Sequence, residues 1–178
     1  MRAVRDVPRL RRATTFAAIR TAMRRIGARI GFRLVHASIQ KNHLHFLVEA
    51  EDKLALTKGM AALAISLARR INTVCARRGK VFARYHATVI TNPRQTRNAL
   101  AYVLNNWRHH REDEGSLRSR VTAIDPYSTG YAFDGWREPA LVERPDFEPL
   151  PSVLPETWLL RVGWRHHPSI GVHEVPKD

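Results

Sequence analysis

The sequence predicts a single α+β domain, and three observations lead to this prediction. The chain has 178 residues, which is the length of one domain with a tail. Hydrophobic residues make up 44% of the chain, which is enough for one packed core. Along residues 14–110 the hydrophobic pattern alternates between helical and strand periods, in the order helix, strand, strand, helix, strand, helix.

The first three predicted elements are a helix and a hairpin. The helix begins near Thr14 and ends at Gly31. Its apolar stripe, with steps of three and four residues, consists of Phe16, Ile19, Met23, Ile26 and Ile30. Residues 32–39 and 43–50 are predicted to be strands joined by the polar turn 40–42, so they form a hairpin.

A second helix is predicted over residues 54–78, and a third strand over residues 81–90. The stripe of this helix consists of Met60, Leu63, Leu67, Ile71 and Val74. Asn92 followed by Pro93 is a strong start signal for the last helix, because Asn caps a helix and Pro fits its first turn. That helix is predicted to run to about His110.

This order becomes a ferredoxin-like βαββαβ unit with an extra helix if one more strand precedes the first helix. Residues 1–7 are available for that strand, and they are few and charged. We therefore expect the first strand to be short or truncated, unless the true start lies upstream of Met1.

Three regions are predicted along the chain. Residues 1–112 form the core, and residues 113–138 form a segment that packs on it. Residues 139–178 form an irregular tail that is rich in proline and contains a short amphipathic helix. This helix is expected to dock on the core through Trp158 and Trp164.

The charge of the chain is strongly positive and unevenly distributed. Thirty Lys and Arg against sixteen Asp and Glu give a net charge of +14 and a pI of about 11.2. Residues 1–34 hold ten Arg and one acid, and residues 69–111 hold ten basic residues and no acid. This pattern favours a polyanionic partner, most often nucleic acid, over helices whose charges are merely solvated.

The composition also argues against several classes of protein. Cys75 is the one cysteine in the sequence, which excludes an internal disulfide and a zinc site with several cysteines. No apolar run has the length of a membrane span, and the Arg-rich start lacks the apolar core of a signal peptide. We therefore expect a soluble cytoplasmic protein.

Two histidines lie side by side on the second predicted strand. Side chains alternate between the faces of a strand, so His43 and His45 share one face. The opposite face carries the apolar residues Leu44, Phe46 and Val48 and should face the core. Two neighbouring imidazoles can bind one divalent metal, although two ordinary half-exposed histidines would give the same pattern.

The last helix carries a tyrosine on its polar face. Its buried stripe is predicted to consist of Leu100, Val103, Leu104 and Trp107. Tyr102 lies roughly 150° from the centre of that stripe on a wheel of 3.6 residues per turn, and Asn106 lies one turn further on. This placement suits a nucleophile or a platform for base stacking, and equally a surface tyrosine without a role.

Together, a histidine pair and a tyrosine suit one chemistry. A divalent metal bound by two His and a side-chain oxygen polarises a scissile phosphate. A tyrosine hydroxyl can then attack phosphorus and form a covalent phosphotyrosine. A basic surface would hold the nucleic-acid strand, and the candidate residues for it are Arg69, Arg70, Arg77, Arg78, Lys80 and Arg84.

Three stretches of the chain resemble the single-tyrosine HUH transposases of the insertion-sequence-200-like family, which include the REP-associated tyrosine transposases. They are Asn-His-Leu-His-Phe-Leu-Val at 42–48, Gly-Lys-Val-Phe-Ala-Arg-Tyr-His-Ala at 79–87 and Tyr-Val-Leu-Asn-Asn at 102–106. The resemblance covers about residues 10–112, and residues 125–136 are also similar to the family's segment after the tyrosine helix.

The resemblance implies a ferredoxin-like fold and a site for Mg²⁺ or Mn²⁺. It implies cleavage and rejoining of single-stranded DNA near a hairpin, with a 5′-phosphotyrosine and a free 3′-OH. By position, His43 and His45 would be metal ligands, Tyr102 the nucleophile, and Asn106 a third ligand or close metal partner. Family members often work as dimers, so a homodimer stays open.

Several alternatives stay open. Tyr85 is a competing tyrosine, interpreted as a packing or stacking residue because it shares a strand face with Val81 and Val89. A domesticated or truncated descendant could bind nucleic acid without cutting it. A metal-dependent phosphodiesterase could act through activated water, with a general base in place of a tyrosine.

Overall fold

The computed structural model describes residues 1–114, 123–143 and 145–176. These residues form an α+β fold, which confirms the predicted class. The elements are α1 Ala13–Ile26, β1 Ala28–Arg29, β2 Phe32–Ile39, β3 Leu44–Ala50, α2 Lys53–Val74, α3 Pro93–His109 and the one-turn α4 Trp158–Arg161. Short 3₁₀ turns lie at Glu112–Glu114, Gly130–Ala132, Pro139–Leu141 and Gly163–His166.

The three strands form an antiparallel sheet in the order β1-β2-β3. Strands β2 and β3 are the predicted hairpin, with Ile39 opposite Leu44 beside the turn. The register shifts between Leu34 and His36, which marks a bulge in β2. Because of this bulge, Leu34 and Ala37 both contribute to the same hydrophobic cluster although they are three residues apart.

The end of the first helix differs from the prediction. Helix α1 ends at Ile26, since Gly27 already caps it through a hydrogen bond from its N–H to the Met23 carbonyl. Strand β1 then pairs back on β2, and Ile30 lies at the tip of the turn with its side chain fully exposed. Gly31 has a φ of +70°, a conformation that glycine adopts readily and an α-helix does not contain.

The predicted third strand over residues 81–90 is wrong. In the described part of the chain, Phe82 makes one isolated bridge with Ala3, and residues 83–89 are exposed. Val89, which was expected to share a buried face with Tyr85, has 78% of its surface exposed. The sheet of the described residues therefore has three strands, and it does not show the expected ferredoxin-like topology.

The start of the chain explains why the strand pairing of the described residues stops after Ala83, whose N–H donates to the Arg2 carbonyl. Arg2 forms an antiparallel bridge with His43, on the side of the N-terminal segment opposite the bridge to Phe82. The chain then turns, because the Val7 N–H donates to the Val4 carbonyl over 3.1 Å. This N-terminal segment is therefore too short to pair with more than one or two residues on either side.

The sheet lies between two hydrophobic clusters. One cluster lies under α1 and α2, whose largest buried side chains are Ile19, Met23, Met60, Leu63, Leu67 and Ile71. The other lies under α3 and combines Leu47 of β3 with Leu100, Val103 and Leu104, as predicted for the stripe of this helix. Val74 was expected in the stripe of α2, but it is 45% exposed in the last turn of that helix.

The C-terminal segments pack against the sheet and α3. Trp164 is buried in the cluster under α3, as predicted, whereas Trp158 is 56% exposed. The buried carboxylate of Glu49 on β3 accepts hydrogen bonds from the backbone N–H groups of Glu156 and Thr157, at 2.8 and 2.9 Å. The region after residue 150 is thus tied to the end of β3.

The division at residues 112 and 138 stays a prediction, and residues 115–122 of the middle segment lie outside the described residues. The same holds for residues 144, 177 and 178 of the tail. Within the part of the chain that the structure describes, no helix combines the length and apolarity needed to cross a membrane.

Candidate active site

The two histidines of the hairpin lie together at the start of β3. Leu44, between them, is fully buried in the cluster under α1 and α2, so His43 and His45 lie on the other face of the sheet. Their ring centroids are 4.7 Å apart and the rings are nearly perpendicular, at 86°. The strand alternation expected from the sequence therefore brings both imidazoles to one place.

Helix α3 brings Tyr102 to the same place. The side chain of Asn92 caps this helix by accepting a hydrogen bond from the Gln95 N–H, and Pro93 occupies its first turn. Tyr102 is half-buried, and its ring centroid lies 5.1 Å from that of His45 in an edge-to-face contact. Tyr102 and the histidine pair are thus neighbours in space, although they belong to two separate elements, α3 and β3.

A third imidazole completes the cluster, and sequence reasoning missed it. His110 is exposed at the C-cap of α3, and its ring centroid lies 5.1 Å from that of His43. Ligating nitrogens of His43, His45 and His110 all lie within 4.8 Å of one another. The available signal was spacing, because Tyr102, Asn106 and His110 recur every four residues along one side of α3.

Asn106 is fully buried and lies one turn after Tyr102. Neither its amide nitrogen nor its amide oxygen has a hydrogen-bond partner among the described residues. The same is true of Nε2 of His45. Buried polar atoms without partners are costly, so these atoms fit a site that binds a further group such as a metal with its water ligands.

A neighbouring amide sets the hydrogen position on His43. Nδ1 of His43 lies 2.8 Å from Oδ1 of Asn42. Because an amide oxygen can only accept, Nδ1 carries the hydrogen and the lone pair lies on Nε2. A partner of this kind is typical of metal-binding histidines, whose other ring nitrogen donates to an oxygen.

The histidine pair is held in its neutral form. Burial lowers the pKa of His43 to about 4 and the pKa of His45 to about 3. Positive charge nearby, on His110 and the N-terminal amine, is a smaller contribution to both of these lowered pKa values. Both rings are therefore uncharged at pH 7, which is the form in which imidazole binds a metal.

An ionic network holds the chain just after His110. Glu112 forms an ion pair with Nε of Arg11 at 2.8 Å and accepts a hydrogen bond from the Lys41 N–H at 2.9 Å. Arg11 also pairs with the fully buried carboxylate of Asp125, again at 2.8 Å. Since Lys41 lies two residues before His43, this network joins the end of α3 to the turn that carries the histidine pair.

The other side of α3 is fastened to the C-terminal segment. The guanidinium of Arg97 pairs with Glu174, with one N–O distance of 2.6 Å. The buried amide of Asn105 donates to the Gly171 carbonyl at 2.9 Å, and Nε of Arg108 donates to the Val172 carbonyl at the same distance. Helix α3, which carries Tyr102, is therefore held against the C-terminal segment.

The basic residues proposed for nucleic acid lie apart from this cluster. Arg69 and Arg70 line a shallow groove between α1 and α2, the helices on the other face of the sheet from α3. Arg77 is engaged locally, since it donates to the Asn72 side chain and to the Lys80 carbonyl. The exposed members of the set are Arg69, Arg78, Lys80 and Arg84.

Other cations lie close to the histidines and were not predicted. Arg2 pairs with His43 through the backbone, and its charge contributes to the lowered pKa of that histidine. Lys41 is exposed in the preceding turn, and Arg111 is exposed directly after His110. They belong to the basic stretches of the sequence, but their position beside the site depends on the fold.

The described fold and cluster define a class of site in which a histidine pair on a strand faces a tyrosine on a helix. The family model described as "Transposase IS200 like" matches residues 9–106, more than half of the 178 residues. The chain belongs to this IS200-like transposase family, and membership implies DNA binding. No significant match was found among curated proteins or among solved structures.

Proposed function

We propose that this protein is a single-tyrosine transposase that cleaves and rejoins single-stranded DNA near a hairpin. The observation that carries the proposal is the contact of Tyr102 with His45, next to His43, within a stretch that matches the transposase family. A tyrosine beside neutral imidazoles has the groups needed for phosphoryl transfer assisted by a metal.

The metal would be held by His43, His45 and Asn106, with Mg²⁺ or Mn²⁺ as the expected ion. The unpartnered Nε2 of His45 and the unpartnered buried amide of Asn106 support this assignment. The ion would supply positive charge next to a non-bridging oxygen of the scissile phosphate. The hydrogen bond from His43 to Asn42 would orient the ring for binding.

Tyr102 would form the covalent intermediate. Its hydroxyl oxygen attacks phosphorus, a new O–P bond forms, and the bond from phosphorus to the 3′ oxygen breaks. The phenol gives up its proton, and the leaving 3′ oxygen takes one up, which leaves a 5′-phosphotyrosine and a free 3′-OH. Attack of a 3′-OH on the phosphotyrosine reverses the step and rejoins the strand.

A set of basic residues, most of them exposed, would bind the DNA backbone. The candidates are Arg69, Arg70, Arg77, Arg78, Lys80 and Arg84, and the net charge of +14 supports an electrostatic footprint of this kind. Exposed residues 83–89 also offer an extended edge to which DNA or a second copy of the chain could pair, as in a homodimer.

The sheet would be a shortened ferredoxin-like sheet. Residues 1–4 have antiparallel neighbours on both sides, His43 on one and Phe82 on the other. These bridges support the proposal, because the order of residues 81–83, residues 1–4, β3 and β2 would be that of a four-stranded ferredoxin-like sheet. The core of residues 1–112 would be the catalytic unit, with the later segments packed on it.

A DNA-binding descendant that does not cut is the second candidate. The short N-terminal pairing favours it, since a reduced sheet lowers a stability that is already marginal in most domains. In that case the chain would bind hairpin DNA through its basic surface, and the histidine cluster would serve no reaction.

Replacing His43 by Ala tests the proposal. Cleavage of labelled hairpin-bearing single-stranded DNA with Mn²⁺ should fall at least about 100-fold, the usual order for losing a charge-stabilising group. DNA affinity should change little. The control is His173→Ala, which alters an exposed histidine of the C-terminal segment. Equal cleavage by the His43 variant and the parent protein would contradict the metal site, and no cleavage by either would favour the DNA-binding candidate.

A further inference from the structure

His110 lies just after the stretch that the family model matches. The match ends at residue 106, and His110 follows it by one helical turn. A ring nitrogen of His110 lies within 4.8 Å of ring nitrogens of His43 and His45. The fold therefore adds a third imidazole to the histidine pair.

We propose that His110 is a metal ligand and that His43, His45 and His110 form a three-imidazole site that takes Zn²⁺ or Co²⁺ in preference to Mg²⁺. This inference rests on the proposed function for the histidine pair and adds the third ligand and the class of metal. It differs from the expectation of Mg²⁺ or Mn²⁺, which rests on the family resemblance and has Asn106 as a third ligand or close metal partner.

Contacts between residues next to His110 and residues next to His43 hold the two histidines close together. Glu112, two residues after His110, accepts a hydrogen bond from the backbone of Lys41, two residues before His43. The ion pair between Arg11 and Glu112 holds that contact in place. The end of α3 and the histidine turn are thus joined by direct bonds, so His110 does not need to be recruited from a distant segment.

The type of ligand atom determines which metal the site prefers. Imidazole nitrogens favour zinc, nickel, copper and related transition metals, whereas Mg²⁺ prefers carboxylate, carbonyl and water oxygens. Three protein ligands with one position left open is also the arrangement of catalytic zinc sites, in which water or substrate takes the last position. A phosphate oxygen of bound DNA could occupy that position here.

The surroundings of His43 and His45 leave Nε2 of each ring available to bind a metal. The Asn42 amide oxygen lies 2.8 Å from Nδ1 of His43, which leaves the Nε2 lone pair of that ring for a metal. Nε2 of His45 is buried and has no hydrogen-bond partner in the described ranges. His110 is exposed, so it can turn toward an ion without breaking a packed core.

Titration calorimetry of the full chain with Zn²⁺, and visible absorption with Co²⁺, tests the proposal without an activity assay. The variant is His110→Ala, which removes an exposed side chain and should leave the fold intact. The matched control is His109→Ala, which removes the adjacent imidazole, whose ring is 5.1 Å from that of His110. His43→Ala and Asn106→Ala complete the set.

We expect Zn²⁺ to bind at least 100-fold more tightly than Mg²⁺ to the parent protein. His110→Ala should weaken Zn²⁺ binding at least ten-fold and change the Co²⁺ spectrum, and His109→Ala should do neither. Loss of Zn²⁺ affinity in His43→Ala and Asn106→Ala but not in His110→Ala would overturn the third imidazole while leaving the histidine-pair site intact. Unchanged binding in all four variants would overturn the metal site itself.

Discussion

At the residue scale, hydrogen bonding separates the histidines of this chain into two kinds. His36 is 6% exposed, and its Nδ1 lies 3.0 Å from the hydroxyl of Thr129. Its ring also makes an edge-to-face contact with Phe133. His36 is hydrogen-bonded and belongs to the core. His45 has a buried nitrogen without a hydrogen-bond partner among the described residues, which is typical of a ligand-binding site.

His36 should make the fold sensitive to acid. Burial lowers its pKa from 6.5 to about 4, so below pH 6.5 the unfolded chain binds a proton that the folded chain does not. The stabilisation is present above pH 6.5 and is lost as the pH falls toward 4, by up to about 3 kcal/mol. Urea unfolding of the metal-free protein at several pH values measures this loss.

The variant His36→Gln should reduce that pH dependence. Part of the slope will remain, because His43 and His45 also have lowered pKa values and titrate in the same window. Comparing the free energies of unfolding at pH 7 and pH 4.5 isolates the contribution of residue 36. The same difference in the variant and the parent protein would show that His36 is protonated without cost in the fold.

At the scale of elements, the C-terminal segment is held to the sheet by a carboxylate. Glu49 is 8% exposed, and it accepts hydrogen bonds from two backbone N–H groups and from the Thr157 hydroxyl, which is 2.6 Å away. These donors lie just before α4, whose N-cap residue is Thr157. One side chain of β3 thus holds the chain where it enters a helix that is distant in the sequence.

Glu49→Ala should loosen that attachment. The two N–H groups would lose their acceptor, and because Glu156 and Thr157 are exposed, water can take its place. The expected cost is therefore the net value of each hydrogen bond, about 1 kcal/mol. We expect a lower free energy of unfolding and faster proteolysis after residue 150, measured by urea unfolding and limited digestion. The matched control is Glu51→Ala, which changes an exposed carboxylate near the end of the same strand. Equal digestion of both variants would contradict the role of Glu49.

Local pattern predicted most of the elements around the site. Strand alternation placed His43 and His45 on one face, and the Asn-Pro signal placed the start of α3 correctly at residue 93. These predictions depend on neighbouring residues, which the sequence displays directly. His110 was missed because its role depends on where α3 ends and on a contact between Glu112 and Lys41, which are 71 residues apart.

The wrong predictions share a cause. Ile30 continues a helical spacing, and residues 81–90 have strand composition. The secondary structure of both stretches, however, depends on which other segment of the chain they pair with. Strand β1 takes residues 28–29 away from the helix, and the turn at Val4 leaves residues 84–89 without a pairing partner in the described chain. Pairing across long sequence separations decides these cases, and local periodicity does not report it.

At the scale of the whole molecule, the basic groove between α1 and α2 and the candidate active site lie on different sides of the sheet. Arg69 and Arg70 are on the side of α1 and α2, while the histidine cluster and Tyr102 are on the side of α3. DNA that touches both must pass around the sheet. Arg2 and Lys41, the cations beside the histidines, could bind the DNA strand where it passes from one side of the sheet to the other.

Charge reversal tests whether the α1–α2 groove contacts DNA. Arg69→Glu combined with Arg70→Glu should weaken binding of single-stranded hairpin DNA and lower the slope of log affinity against log salt by about 1.4, or 0.7 for each lost phosphate contact. Fluorescence anisotropy across a salt series measures both. Arg161→Glu combined with Arg165→Glu, in the C-terminal segment, is the matched control. If both pairs behave alike, this groove is not the DNA surface.

The most direct test of the central claim is covalent trapping at Tyr102. The protein is incubated with labelled hairpin-bearing single-stranded DNA and a divalent metal, Mn²⁺ or Zn²⁺, and then examined for an adduct that survives SDS. We predict an adduct for the parent protein and for Tyr85→Phe, since Tyr85 lies in the exposed segment after Phe82. Tyr102→Phe should give none. An adduct that persists in Tyr102→Phe, or one that is lost in Tyr85→Phe alone, would contradict the account.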